Sequence, residues 1–116
     1  MMEQLNRVNL VGKVGRFRIQ NVGDTQVLNV SVSTSLQYLS RDGQAITETQ
    51  WTDVVAWRGR NVADFGFINE NAWVSVEGRI RTRKWTDRDG ATRYSTEVLA
   101  SKLAIVDGPL SPQSND

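Results

Sequence analysis

Arg79, Arg81, Arg83 and Trp85 recur at every second position along the run from Val74 to Trp85. A strand sends alternate side chains to opposite faces. These four therefore share one face, while Val74, Val76 and Ile80 share the other, which can join a core. The chemistry open to the basic face is noncovalent: guanidinium groups fork onto phosphate oxygens, and an indole gives a base a flat surface to stack on. The ligand that satisfies both is a flexible polyanion with unpaired bases, meaning single-stranded nucleic acid. A solvated strand surface can carry the same arginines, so the row takes its meaning from the aromatic residues that accompany it.

Those residues are plentiful, with four tryptophans and two tyrosines in 116 residues. Tryptophan usually packs into cores, so position decides its role. Trp85 ends the arginine face beside a turn, where a ring is hard to bury. Trp51 and Trp57 share strand parity with Asp53, a charge that does not belong in a core. Tyr38 opens a polar loop. These four are the expected base platforms, whereas Trp73, which begins the basic strand, is expected to pack structurally. Arg79, Arg81, Arg83, Lys84 and Arg93 are expected to track the phosphates, with Arg58 and Arg7 extending the track. Eleven of the fourteen cations are arginine, and six basic side chains against two acidic ones fall between Arg79 and Arg93. The net charge of +1 therefore conceals a polarised surface.

Catalytic chemistry finds little to work with. There is no histidine and no cysteine, which removes the usual bases, nucleophiles, disulfides and zinc ligands. Gly12-Lys13-Val14-Gly15 resembles a phosphate loop only superficially, because it lies inside a strand. Asp53, Glu77 and Glu97 are the carboxylates a metal-dependent nuclease would need, and pairing with neighbouring arginines accounts for them better. The expectation is a protein that is not an enzyme and needs no metal or cofactor.

The elements that must position these residues are strands. The first spans about 5–14, with Gly12 and Gly15 suggesting a bulge; a short strand at 17–20 leads to a turn at 21–24. A half-buried strand follows at 26–34, and an Asp-Gly turn at Asp42-Gly43 precedes a strand at 47–57. Val62, Phe65 and Ile68 recur at helical spacing, so a short helix with Asn61 as its cap is expected within 61–70, weakened by Gly66. The basic strand at 73–85, a second Asp-Gly turn at Asp89-Gly90 and a strand at 92–106 complete the chain. The expected fold is all-β: a five-stranded OB-fold barrel with one short helix between strands 3 and 4. A β-sandwich is the alternative, and the position of the single helix favours the barrel. One domain over 1–107 and a short disordered tail over 108–116 are expected.

Read together, Asn6 to Gly15, Glu48 to Trp57, and Val76 to Trp85 with Asp89-Gly90, Arg93-Tyr94 and Thr96-Glu97-Val98 resemble the bacterial single-stranded DNA-binding protein family. The resemblance runs over about 5–106. It implies an OB-fold that assembles as a homo-oligomer, a homotetramer ahead of a dimer, and that coats single-stranded DNA without sequence preference during replication, recombination and repair. It also carries the stacking role over to Tyr38, Trp51, Trp57 and Trp85. Tyr38 stands where many relatives have tryptophan, and Trp57 where many have phenylalanine. Thr52 replaces a histidine common at a subunit contact, and Arg16-Phe17 replaces a common Asp-Pro. The chain ends Ser114-Asn115-Asp116 without the family's acidic tip, so recruitment of replication and repair proteins by that route is not expected.

The alternative reading is an OB module that works mainly through protein contacts, such as a primosome accessory. Retention of all four aromatic positions argues against it. With no secretion leader and no apolar run long enough for a membrane span, the expected setting is cytoplasmic and nucleoid-associated.

Overall fold

The computed structural model describes residues 3–108. Five strands make up nearly all of it: β1 (Val8–Val22), β2 (Thr25–Leu39), β3 (Ala45–Trp57), β4 (Trp73–Thr86) and β5 (Thr92–Val106). They close into a barrel in the order β1-β2-β3-β5-β4. All the pairings are antiparallel except β3 with β5, which is parallel and holds at only two positions, Val54 with Val98 and Val55 with Leu99.

The barrel closes because β1 serves two neighbours in succession. It registers on β4 over Val8–Lys13 and on β2 over Lys13–Val22. The change of partner coincides with a one-residue slip between Val14 and Phe17, the bulge expected from Gly15, and bulges of this kind bend a strand. Because the strand bends rather than ends, the two strands expected at 5–14 and 17–20 are one.

A second bulge decides which residues of β5 face inward. Gly78 pairs with Ala100 but Glu77 pairs with Lys102, which leaves Ser101 as the extra residue. An inserted residue reverses the alternation beyond it. Val98 and Ala100 face the core before the bulge and Leu103 does so after it, sparing Lys102 from burial. The core is aliphatic, with Val14, Leu28, Val32, Val54, Val74 and Val76 its fully buried large side chains.

Two hairpins project past the barrel: the outer half of β2–β3, and β4–β5 beyond Gly78. Their tips share one construction. Ser40 pairs by backbone with Gln44, and Asp87 with Ala91, and each of the two first residues also accepts the later amide on its side chain. Gly43 and Gly90 take positive φ, +80° and +86°, which glycine adopts without steric cost. The β4–β5 projection corrects one expectation: Ile80 is 50% exposed rather than in the core, because no opposing sheet covers that part of the hairpin. The side-chain amide of Asn6 steadies the base of this arm, donating to the Ile80 carbonyl and accepting from the Ile80 N–H, both at 2.8 Å.

The helix within 61–70 is reduced to a single 3-10 turn at Phe65–Phe67. Its cap is Asp64, whose carboxylate accepts from Gly66 N at 2.8 Å, and not Asn61. Phe65 and Ile68 are buried and Val62 packs against the core. The apolar spacing therefore reported a plug for the barrel end rather than a helix. The tail expected over 108–116 lies, apart from Gly108, outside the described residues.

Candidate nucleic-acid interface

Cross-strand partners share a face, so the pairings trace one continuous surface. On β3, Trp51, Asp53, Val55 and Trp57 oppose Ser33, Ser31, Asn29 and Val27 of β2. The Val55–Leu99 pairing carries the same face onto β5, where Leu99, Glu97, Ser95 and Arg93 oppose Arg79, Arg81, Arg83 and Trp85 of β4. Three of the four expected base platforms thus lie on one side of the barrel.

Trp51 is 61% and Trp85 40% exposed, and Trp57 is exposed between them in chain order. Trp51 lies against the β1 bulge, where a Cβ on Gly15 would overlap the ring. Trp85 is held from below, its Nε1 donating to Ser95 Oγ at 2.8 Å. Val27 and Val55 are buried on this outer face, apart from the main core cluster, so its floor is apolar. Exposed large rings over an apolar floor are a platform that other flat groups can cover.

Tyr38 departs from expectation. It is not on a loop but within β2, opposite Ile46, and its parity puts it on the reverse side of the ribbon from Trp51. The ring is exposed, with Oη donating to Glu48 Oε2 at 3.4 Å. Trp73 is half-buried, with Lys13 Nζ 5.8 Å from its ring centroid, a cation–π contact consistent with the structural role expected.

The cations divide into groups. Arg81 Nη2 donates to Glu97 Oε2 at 2.7 Å and Arg83 Nε to the same oxygen at 3.2 Å. Arg93 Nε donates to Asp87 Oδ2 at 2.8 Å. Arg79 is exposed with no ion pair among the described residues and shares a surface depression with Arg7. Lys84 pairs with Tyr94 on the side of the hairpin away from Trp85. Arg58 is exposed just past β3, its backbone N–H donating to Gln26 O. The pairing of carboxylates with arginines holds for Glu97 alone of the three considered. Asp53 accepts from Ser31 Oγ at 3.3 Å, and Glu77 lies 3.9 Å from Lys102.

Two cations escaped the sequence reading. Arg16 and Arg18 of β1 line the open groove between the barrel wall and the β4–β5 arm, together with Asp53, Arg83, Ser95 and Glu97. Their spacing around Phe17 was a signal, but a strand break assumed at Gly15 hid its connection to this face. Asp87 also does more than its place in a turn announced. The Arg93 guanidinium first, and then the Ala91 amide, hold its carboxyl below the ordinary value of 3.8; desolvation opposes them, and the Asp89 and Gly90 amides add weaker support. Among the described residues no group of three or more acidic side chains gathers as a metal site, and no helix is long and apolar enough to cross a membrane.

A closed barrel in the order 1-2-3-5-4, with exposed rings and guanidinium groups along one face, defines an OB-fold of the kind that takes oligonucleotides on its surface. Residues 5–106 match the model of the single-strand binding protein family, and the chain belongs to that family. It is 32% identical over 109 residues to single-stranded DNA-binding protein 1 of Xylella fastidiosa (strain 9a5c), covering 90% of this chain and 79% of the relative. It is 31% identical over 107 residues to the single-stranded DNA-binding protein of Neisseria meningitidis serogroup B (strain MC58), of whose length it spans 61%. Two solved structures share the fold. One is a Plasmodium falciparum SSB in complex with ssDNA, with TM-score 0.69 and 24% identity over 92% of this chain and 99% of that one. The other is a deletion mutant of the Thermus aquaticus single-stranded DNA-binding protein, with TM-score 0.72 and 23% identity over 90% of this chain and 51% of that one.

Proposed function

We propose that this chain binds single-stranded DNA without sequence preference and coats it during replication, recombination and repair. The observation that carries this reading is the common face of Trp51, Trp57 and Trp85, with exposed rings beside a row of arginines. Bases stack on the rings, and because every base has a flat face the interaction tolerates any sequence. Phosphates follow the cations. Duplex DNA hides its base faces, leaving the rings idle. The names of the relatives support the same ligand. The test is competition for a labelled oligo-dT: unlabelled single strands of mixed sequence displace it, and equal displacement by duplex would reject the proposal.

Among the phosphate-tracking side chains Arg79 and Arg7 carry the role most directly, with Arg58 beside the Trp57 end. Arg79→Ala is expected to lower the salt dependence of oligo-dT binding by about 0.7 in log–log slope, the value of one phosphate contact on a single strand. Tyr38 serves a strand that continues around the β2–β3 arm onto its reverse side.

The same reading includes self-association, as a homotetramer or dimer. β1 over Val8–Val11 is paired to β4 on one edge only. An unpaired edge of this kind is satisfied by its own copy across a two-fold axis. Light scattering at micromolar concentration is expected to give a multiple of the 13.0 kDa chain mass, and a monomer mass would reject the association.

A further inference from the structure

Glu97 stands apart on this face. It is the one buried charged side chain among the described residues, 5% exposed, and it takes up two of the arginines that a polyanion would want. Both arginines reach solvent, Arg81 at 32% and Arg83 at 49% of their side-chain surface, so burial is not what draws them to the carboxylate. Stability explains the arrangement poorly. Arg81 Nε is buried with no hydrogen-bond partner, and an incompletely satisfied ion pair returns little of its desolvation cost. Glu97 also sits at the centre of the face, opposite Arg81 and lining the groove between the barrel wall and the β4–β5 arm with Arg83, Arg16 and Arg18. A phosphate arriving there meets guanidinium groups already bound to an anion.

We infer that Glu97 is an internal competitor for phosphate, holding Arg81 and Arg83 back from the strand so that bound DNA stays exchangeable. The inference rests on the single-stranded DNA reading above. A phosphate contacting either arginine must displace a carboxylate fixed in place by the fold, and that displacement offsets part of the gain. The stacking rings then hold the strand while the centre of the charge row grips weakly, a combination that favours release and sliding.

Glu97→Gln keeps the side-chain volume and an acceptor oxygen but removes the negative charge, so the two guanidinium groups that share Oε2 are no longer held by an ion pair. The expected result is several-fold tighter oligo-dT binding, slower release, and a salt dependence steeper by about 1.4 in log–log slope, two contacts at about 0.7 each. Adding Arg81→Ala and Arg83→Ala to that variant is expected to abolish the gain. Asp24→Asn removes the same charge from the exposed turn after β1, outside this face and with no arginine paired to it among the described residues, and is expected to leave the slope unchanged. A Glu97→Gln slope equal to wild type, or an equal steepening by Asp24→Asn, would overturn the inference. Arg81→Ala and Arg83→Ala in the wild-type background give a second measurement that does not depend on the folding of the Glu97→Gln variant. The slope is expected to stay nearly constant, and a fall of about 0.7 for each would also overturn the inference. Wild-type protein that fails to bind oligo-dT at all would instead reject the underlying DNA reading, so the two failures are distinguishable.

Discussion

Trp51→Ala and Trp85→Ala are each expected to weaken oligo-dT binding by about 1–3 kcal/mol, the value of one base stacked on one aromatic ring, which is roughly a 5- to 150-fold loss. The two rings stand on different strands of the same face, so each meets a different base. Neither belongs to the core cluster, and circular dichroism and thermal melting should remain those of the wild type. Trp85 loses one hydrogen bond, to the hydroxyl of half-buried Ser95, which water replaces. Phenylalanine at either position should restore most of the affinity, since it keeps a stacking face. Trp73→Phe is the matching control: Trp73 pairs with Lys13 and Val106, away from the groove, and its replacement should leave binding unchanged. Affinity unaltered by both alanine substitutions would remove stacking from the account.

Gly78→Ala is expected to lower stability by about 3 kcal/mol, the upper end of the range for forcing extra volume into a packed site. Gly78 is paired to Val8 on one side and to Ala100 on the other, beside the Ser101 bulge. A Cβ there would overlap the Leu99 carbonyl oxygen and come within 2.9 Å of Ala100 Cα. Both are backbone atoms inside a ladder and cannot rotate away, as the end of a flexible side chain would. The strain falls where the barrel gives way to the β4–β5 arm, so the arm carrying Trp85 should be displaced along with it. Urea denaturation should show the midpoint falling with little change in slope. Gly59→Ala, with only the Trp57 carbonyl oxygen within 4 Å at 3.8 Å, should be close to neutral. Equal stability of the two variants would mean that this crossing does not limit the barrel.

Strand alternation made most of the architecture legible in advance. The inward parity of β2 is visible in Leu28, Val30 and Val32, and the two Asp-Gly turns announce themselves by composition. The same alternation correctly grouped Trp51, Asp53 and Trp57, and grouped Arg79 to Trp85. It failed where the period breaks. The bulge at Gly15 joined two segments that looked separate and brought Arg16 and Arg18 into the groove. The bulge at Ser101 turned Leu103 inward, which a strict period of two assigns to the other face. Ile80 misled because beyond the barrel a hairpin has no inside, so an apolar parity no longer means burial, and Tyr38 because its polar surroundings read as a loop where β2 runs on to Leu39. Partner choice was the other gap. That an arginine pairs with some carboxylate follows from composition, but that Glu97 takes both Arg81 and Arg83 while Asp53 turns to Ser31 follows only from register.

The measurement that tests the central claim most directly is quenching of intrinsic tryptophan fluorescence by poly-dT over a series of salt concentrations, with duplex DNA as the control. Stacking on Trp51, Trp57 and Trp85 predicts strong quenching by the single strand, affinity that falls linearly in log–log form as salt rises, and a quenched end state that does not change with salt. Duplex should quench little at any salt. Quenching of equal depth by duplex, or single-strand binding that leaves the tryptophan emission unchanged, would contradict the account.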